Sequence, residues 1–386
     1  MKNNNFKNIP FGSPVFDKKT YSLIKKVIDS KKLVHGPMIV EFEKKFSILT
    51  KSKFCLGVSS CTMGMHMIYY HLGIQKGDEV LVPAQTHVAT AMAVEAVGAK
   101  PIFIDSNYEN GNINLFEIES KITNKTKAIS VVHYLGFPVD MKPIMRIAKK
   151  YKLFVLEDCA LSLGSKYENI HTGLIGDAGV FSFYPVKHIT TSEGGMIITK
   201  HKKLYKSLKL LRGFGVDKDY DKRKIPGQYN TLTKGLNGRM SEIEAAMGIS
   251  QLNNFNFFLK RRSNNYTFLQ NKFQKLKNIS SLNTNVNYKF FWSPYCYALI
   301  LNKKLIKYRN KIMLSLNNQG VGTSIYYPKP VPCMKYFKNK YKIKSKFNNA
   351  MRFSNNAVML PIAQHVSKKD ISYIASKVED VIKKFS

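Results

Sequence analysis

The chain has 386 residues, 44% of them hydrophobic and 12% aromatic, which excludes a disordered tail and a small disulfide scaffold and allows two packed units. Its formal net charge is +36, yet only eight of the 61 basic residues are arginine, and the lysines are spread along the whole chain. That is a solvated surface without the planar forks that read phosphates and bases, so no nucleic-acid partner is expected, although the excess suits an anionic substrate.

Cys55, Cys61, Cys159, Cys296 and Cys333 are odd in number and form no CxxC pair, against a disulfide framework or a structural zinc site. The start, MKNNNFKNIPFGSP, has no apolar signal core, and no run of ~18 apolar residues occurs, so a cytoplasmic protein with no membrane partner is expected.

In chain order, residues 15–50 read as helical, with VFDKKTYSLIKKVID and MIVEFEKKFSIL carrying apolar residues at i, i+3 and i+4. Strand and helix then alternate: FCLGVSS, the helical MGMHMIYYHLGI, EVLVPA, a helix through ATAMAVEAVG, and KPIFID. KAISVVHYL, a helix around PIMRIAKKY and LFVLEDCA continue the pattern, which predicts a largely parallel sheet covered on both faces. A long helix is expected over 240–273, followed by a smaller α+β unit that ends in the helix DISYIASKVEDVIKKF. We divide the chain into a large α/β domain at 1–250 and a small C-terminal α+β domain at 251–386.

In an open α/β sheet, ligands sit beyond the carboxyl ends of the strands. Three strand ends carry suggestive residues. VSSCTMGMH turns from strand to helix, where backbone N–H groups with the Ser60 and Thr62 hydroxyls suit a phosphate, or serve as a plain helix cap. Glu157 and Asp158 end the apolar strand of VLEDCA. Lys187, in FSFYPVKHITTSEGG, follows an aromatic run expected to place it on a strand. A buried amine loses its charge easily and becomes a nucleophile that forms Schiff bases with aldehydes. The cofactor that needs such a lysine, a phosphate cradle and a carboxylate against a pyridinium nitrogen is pyridoxal 5'-phosphate (PLP).

Those segments, with GDEVLVPAQTHVATAMAVEAVGAKPIFID, GDAGVFSFYPVKHITTSEGGMI, LRGFGV, LNGRMSEIEAAMGISQL and VMLPI, resemble the sugar aminotransferases of the DegT/DnrJ/EryC1/StrS family along nearly the full length. The resemblance implies PLP fold type I, the aspartate aminotransferase-like α/β architecture, with a large mostly parallel sheet domain and a smaller C-terminal α+β domain. It implies that Lys187 holds PLP and shuttles the proton, and that Asp158 pairs with the pyridine nitrogen. Ser60, Thr62, the backbone of Met63 and the hydroxyl of Ser182 would bind the phosphate.

His87 takes the place of the family's usual ring-stacking Phe or Trp, and Leu161 stands where His or Gln is common. Asn237 would reach the phosphate of the neighbouring subunit, making a homodimer with shared sites. Arg212 and Arg239 are candidates for anion contacts, the alternative being structural ion pairs, and Tyr326 joins them as a candidate substrate contact. The implied activity moves an amino group, from glutamate, onto a nucleotide-linked keto-deoxy sugar. Two alternatives stay open: a PLP/PMP-dependent nucleotide-sugar dehydratase, and a non-catalytic regulatory protein that keeps the fold.

Overall fold

The computed structural model describes residues 7–217, 223 and 225–386. Seven strands form the central sheet: β1 (Phe54–Val58), β2 (Glu79–Pro83), β3 (Lys100–Ile104), β4 (Thr126–Val132), β5 (Phe154–Asp158), β6 (Ala178–Ser182) and β7 (Gly195–Thr199). Their spatial order is β1-β7-β6-β5-β4-β2-β3. Only β7 runs against its neighbours, antiparallel to both β1 and β6; the pairs from β6 through β3 are parallel. The expected mostly parallel sheet is therefore present.

Because side chains alternate along a strand, each strand serves two cores. Leu56, Val80, Val82, Ala128, Leu156 and Val180 pack with the helices Cys61–His71, Val88–Glu95 and Lys202–Arg212. The residues that alternate with them along the strands face the other way. Cys55, Phe181, Met196 and Ile198 meet the helices Pro37–Thr50 and Glu242–Asn253. Leu81, Ile129, Val131 and Val155 meet the helix Met141–Tyr151. Near-continuous Val and Ile runs are what such double burial selects.

The helix expected over 240–273 is two helices, Glu242–Asn253 and Phe255–Phe273. Asn254 separates them. Its amide donates to the Ser250 carbonyl at 3.1 Å and to Asp17 Oδ2 at 2.8 Å, and such side-chain bonds compete with helix continuation. The first helix starts on a capping box between Ser241 and Glu244.

A second core forms around three antiparallel strands, with Tyr297–Leu301 between Ile279–Ser280 and Ala357–Leu360. The helices Phe255–Phe273, Arg309–Asn318 and Lys368–Phe385 enclose Leu299, Leu316, Val358 and Ile374 there. Ile9 belongs to the same core and bridges to Val321. From it the chain runs on to Phe11, whose ring meets those of Tyr295 and Tyr326 at 6.5 and 5.8 Å between centroids. At Gly12 a Cβ would lie 2.7 Å from Val186 Cγ1, so the strap presses directly on the segment that carries Lys187. No helix of the described residues is long and apolar enough to cross a membrane.

Candidate active site

Strand alternation assigns opposite roles to two adjacent carboxylates at the end of β5. Asp158 falls on the face of Leu156 and opens into a cleft of ≈ 210 Å³ that Ser60, Thr62, His87, Ser182 and Lys187 also line. Its Oδ2 accepts from Thr90 Oγ1 at 2.8 Å and its Oδ1 from the Ala160 N–H at 3.1 Å. Glu157 points to the other face and is fully buried. There it accepts the N–H groups of Gly173, Ile175 and Gly176 and pairs with His133 Nε2 at 2.9 Å. His133 Nδ1 accepts from the Val139 N–H, so its Nε2 carries the proton given to Glu157. Glu157 thus pins the loop after β5, and Asp158 alone faces the cleft.

The strand-to-helix turn at Ser60 is a cradle with two donors to spare. Ser60 caps the helix Cys61–His71, its Oγ accepting from the Met63 N–H at 3.0 Å. Met63 N–H, expected as a phosphate donor, is therefore already engaged, and its side chain is not part of the cleft wall. The N–H groups of Cys61 and Thr62 are the first two of the helix, which leaves them without an intrahelical acceptor, and both residues line the cleft. Gly195 makes this turn possible: a Cβ there would stand 2.6 Å from Cys61 N and from Ser60 C. The Cys61 thiol is pushed well up by burial, then by Asp158, and stays protonated.

His87 caps the helix Val88–Glu95 by accepting the Ala89 N–H on Nδ1 at 3.2 Å. Burial lowers its pKa, with Lys187 acting the same way, so the ring is neutral with the proton on Nε2. Leu161 closes the same wall with apolar atoms only.

Lys187 is not on a strand. β6 stops at Ser182, and Pro185, which has no N–H to give a ladder, starts a turn in which the Lys187 N–H bonds the Tyr184 carbonyl at 2.9 Å. The aromatic run instead anchors the loop: Phe181 and Phe183 are buried against Phe42 and Phe46. The Lys187 amine lines the cleft, 5.5 Å from the centroid of the Tyr295 ring, with no carboxylate within 4.0 Å among the described residues. Burial lowers its pKa, and Asp158 and then Cys61 oppose that shift.

Besides Met63, four of the expected residues lie off the cleft of their own chain. Arg212 Nη1 binds Glu43 Oε1 at 2.9 Å and the Gly57 carbonyl at 2.8 Å, a structural ion pair. Arg239 lies 4.9 Å from the centroid of the Phe214 ring. Asn237 is exposed and bridges to Gly213. The Tyr326 hydroxyl bonds that of Tyr295 at 2.7 Å, and it is the adjacent Tyr327 that lines the cleft. Sequence reasoning missed Thr86, Tyr184, Glu193 and Tyr327 on the wall, and Thr90 behind Asp158. For Thr90 a signal existed: it stands four residues after Thr86 at a helix start, on the same side of that turn.

Residues 14–379 match the DegT/DnrJ/EryC1/StrS aminotransferase family. The chain belongs to that family. It is 34% identical over 377 residues to the GDP-perosamine synthase of Escherichia coli O157:H7, covering 97% of this chain and 98% of that one. Among solved structures, the Streptococcus pneumoniae protein Spr1654 in its PMP form superposes with a TM-score of 0.92 at 26% identity, over 98% of this chain and 100% of the other; a PLP form is also known. Helicobacter pylori PseC, an aminotransferase of pseudoaminic acid biosynthesis, gives 0.91 at 26% identity over the same shares. The PLP fold type I architecture, the aminotransferase class and PLP as cofactor therefore stand for this family member.

Proposed function

We propose that this family member transfers an amino group from glutamate to the keto carbon of a nucleotide-linked deoxy sugar, as a homodimer in the cytoplasm. What carries the reading is one juxtaposition: a lysine amine of lowered pKa and a buried, hydrogen-bonded aspartate share one cleft with a free helix start. PLP fits that set of residues. The N–H and hydroxyl donors for a phosphate, the acceptor for a pyridinium N–H and the amine for an aldehyde are all present. Bound there, the cofactor supplies an electron sink for the carbon next to the transferred nitrogen.

The chain's own residues do the rest. The Cys61 and Thr62 N–H groups with the Ser60, Thr62 and Ser182 hydroxyls hold the phosphate, which Met63 supports by fixing the Ser60 cap. Asp158 keeps the ring nitrogen protonated, oriented by Thr90. His87, neutral, covers the ring. Lys187 Nζ takes a proton from one carbon and returns it to another, and its lowered pKa keeps part of it neutral for that task. Asn237, exposed on its own chain, reaches the neighbouring subunit's phosphate. Arg239 and Tyr326 border the sugar nucleotide, and Arg212 ties Glu43 to the Gly57 carbonyl of β1. The similarity to a GDP-perosamine synthase and to an aminotransferase of pseudoaminic acid biosynthesis supports the substrate class.

The test is a panel of nucleotide-linked 3-keto and 4-keto sugars with glutamate and PLP, read by mass. Conversion of one ketone to an amine with matching 2-oxoglutarate release is expected. Absence of amino sugar across the panel, with the cofactor on Lys187, would overturn the substrate assignment.

A further inference from the structure

Arg262 is 1% exposed, in the middle of the helix Phe255–Phe273, and no carboxylate lies within 4.0 Å of it among the described residues. A guanidinium so placed is expensive unless its donors are used. Two are. Nη1 donates to the Tyr295 carbonyl at 2.8 Å and Nη2 to the Lys187 carbonyl at 3.3 Å. The guanidinium also lies 5.9 Å from the centroid of the Tyr295 ring, and the Lys187 amine lies 5.5 Å from the same centroid. One side chain thus binds the main chain of both members of a cation–π pair.

We infer that Arg262 is a positioning residue that fixes the Lys187 amine over the Tyr295 ring by tying together the main-chain carbonyls of Lys187 and Tyr295. The inference rests on the reading of Lys187 as the cofactor lysine. Lys187 sits in a loop outside the sheet ladder, so its main chain needs an external brace. Tyr295 leads into the central strand Tyr297–Leu301 of the second core, and the brace couples that core to the lysine loop. Arg262 stays charged, its pKa pushed down to about 10 by burial, and it helps keep the adjacent His188 neutral.

Two substitutions separate position from charge. Arg262→Lys keeps the charge but lacks the planar two-nitrogen fork that holds the two carbonyls; Arg262→Met removes charge and bonds together. Asp158 and Cys61, the other groups that act on the Lys187 amine, are untouched. The full chain is first stripped of cofactor and pulsed with acetic anhydride at a series of pH values. Acetylation of Lys187 is read by peptide mass, and Tm is recorded alongside. PLP is then added and the growth of the lysine-bound absorbance band followed.

We expect both variants to move the Lys187 labelling midpoint upward by about one pH unit, and to slow band growth by at least about tenfold. A shift in the methionine variant alone would make the effect one of charge and overturn the brace. Wild-type labelling in both variants with a lowered Tm would make Arg262 a stability residue only, which also overturns it. Should the methionine variant fail to fold, the lysine variant decides. Borohydride trapping of wild-type protein with PLP is a separate arm: cofactor on another lysine would sink the reading of Lys187, while the labelling result stands on its own.

Discussion

Thr90 Oγ1 donates to Asp158 Oδ2 across 2.8 Å and stands 2.7 Å from Thr86 Oγ1. A hydroxyl has one proton, so Thr90 must accept from Thr86, and the two form a directed chain ending on the carboxylate. Thr90→Val breaks the chain next to a buried aspartate. A loss of about 1–3 kcal/mol is expected, shared between stability and cofactor retention, with Thr90→Ser close to wild type. Urea unfolding and PLP titration measure the two parts; a valine variant that matches wild type in both would remove Thr90 from the site.

Asp158→Asn keeps the shape and loses the charge. An amide cannot hold a pyridine nitrogen protonated, so turnover should fall by orders of magnitude while PLP stays bound. Stopped-flow half-reactions with glutamate provide the measurement. Turnover within a few-fold of wild type would place the ring partner elsewhere.

Lys187→Ala should abolish both the lysine-bound absorbance band and transamination, with the circular dichroism of the fold unchanged. Among the described residues the side chain makes no ion pair that the fold would miss, and Phe181 and Phe183 still anchor the loop. A variant that turned over at the wild-type rate would refute the assignment.

Mixing Asn237→Ala with Lys187→Ala chains should partly restore activity. In a mixed dimer one site pairs an intact Lys187 with an intact Asn237 from the partner chain. Each single variant must first be shown to be impaired, and subunit exchange confirmed by mass. No gain over the separate variants would then confine Asn237 to its own subunit.

His171 should make stability depend on acid. Its Nδ1 donates to the Thr172 carbonyl at 2.7 Å and its Nε2 accepts from the Gly164 N–H at 2.9 Å, an arrangement only the neutral ring satisfies. Burial pushes its pKa from 6.5 down to about 4, against the pull of the Thr172 carbonyl. Between those values the unfolded chain binds the proton and the folded one does not, so stability falls as pH drops, by at most about 1.4 kcal/mol per unit. His171→Gln, which can donate and accept in the same directions but cannot titrate, should flatten that slope in urea unfolding; equal slopes would show that other groups dominate.

Much of this architecture could be read from periodicity. Val and Ile runs marked the strands, and their alternation already separates Glu157 from Asp158. The close approach of Gly195 to the Ser60 turn emerges only from the structure. Lys187 was visible as an oddity, but its aromatic neighbours suggested a strand because a buried anchor and a buried strand look alike in sequence. Arg262 was not legible at all. It sits beside Arg261, and nothing local tells that one of the two turns inward while the other lies 5.3 Å from the Phe257 ring. Its partners are main-chain carbonyls far away in sequence, which leave no side-chain signature. The break at Asn254 was hidden for a related reason, since its competing bond to Asp17 is also long-range.

The strap that joins Ile9 to Val321 also sets an order of events during synthesis. The sheet from β1 to β7 can close on the ribosome while Ile9 still waits for a partner that emerges near the end of translation. The neighbours that reach the lysine loop from the second core share this delay. Arg262 and Tyr295 are made after Lys187, and Gly12 reaches Val186 only when Ile9 is docked. A nascent chain therefore carries Lys187 without its bonds to Arg262 until most of the second core exists.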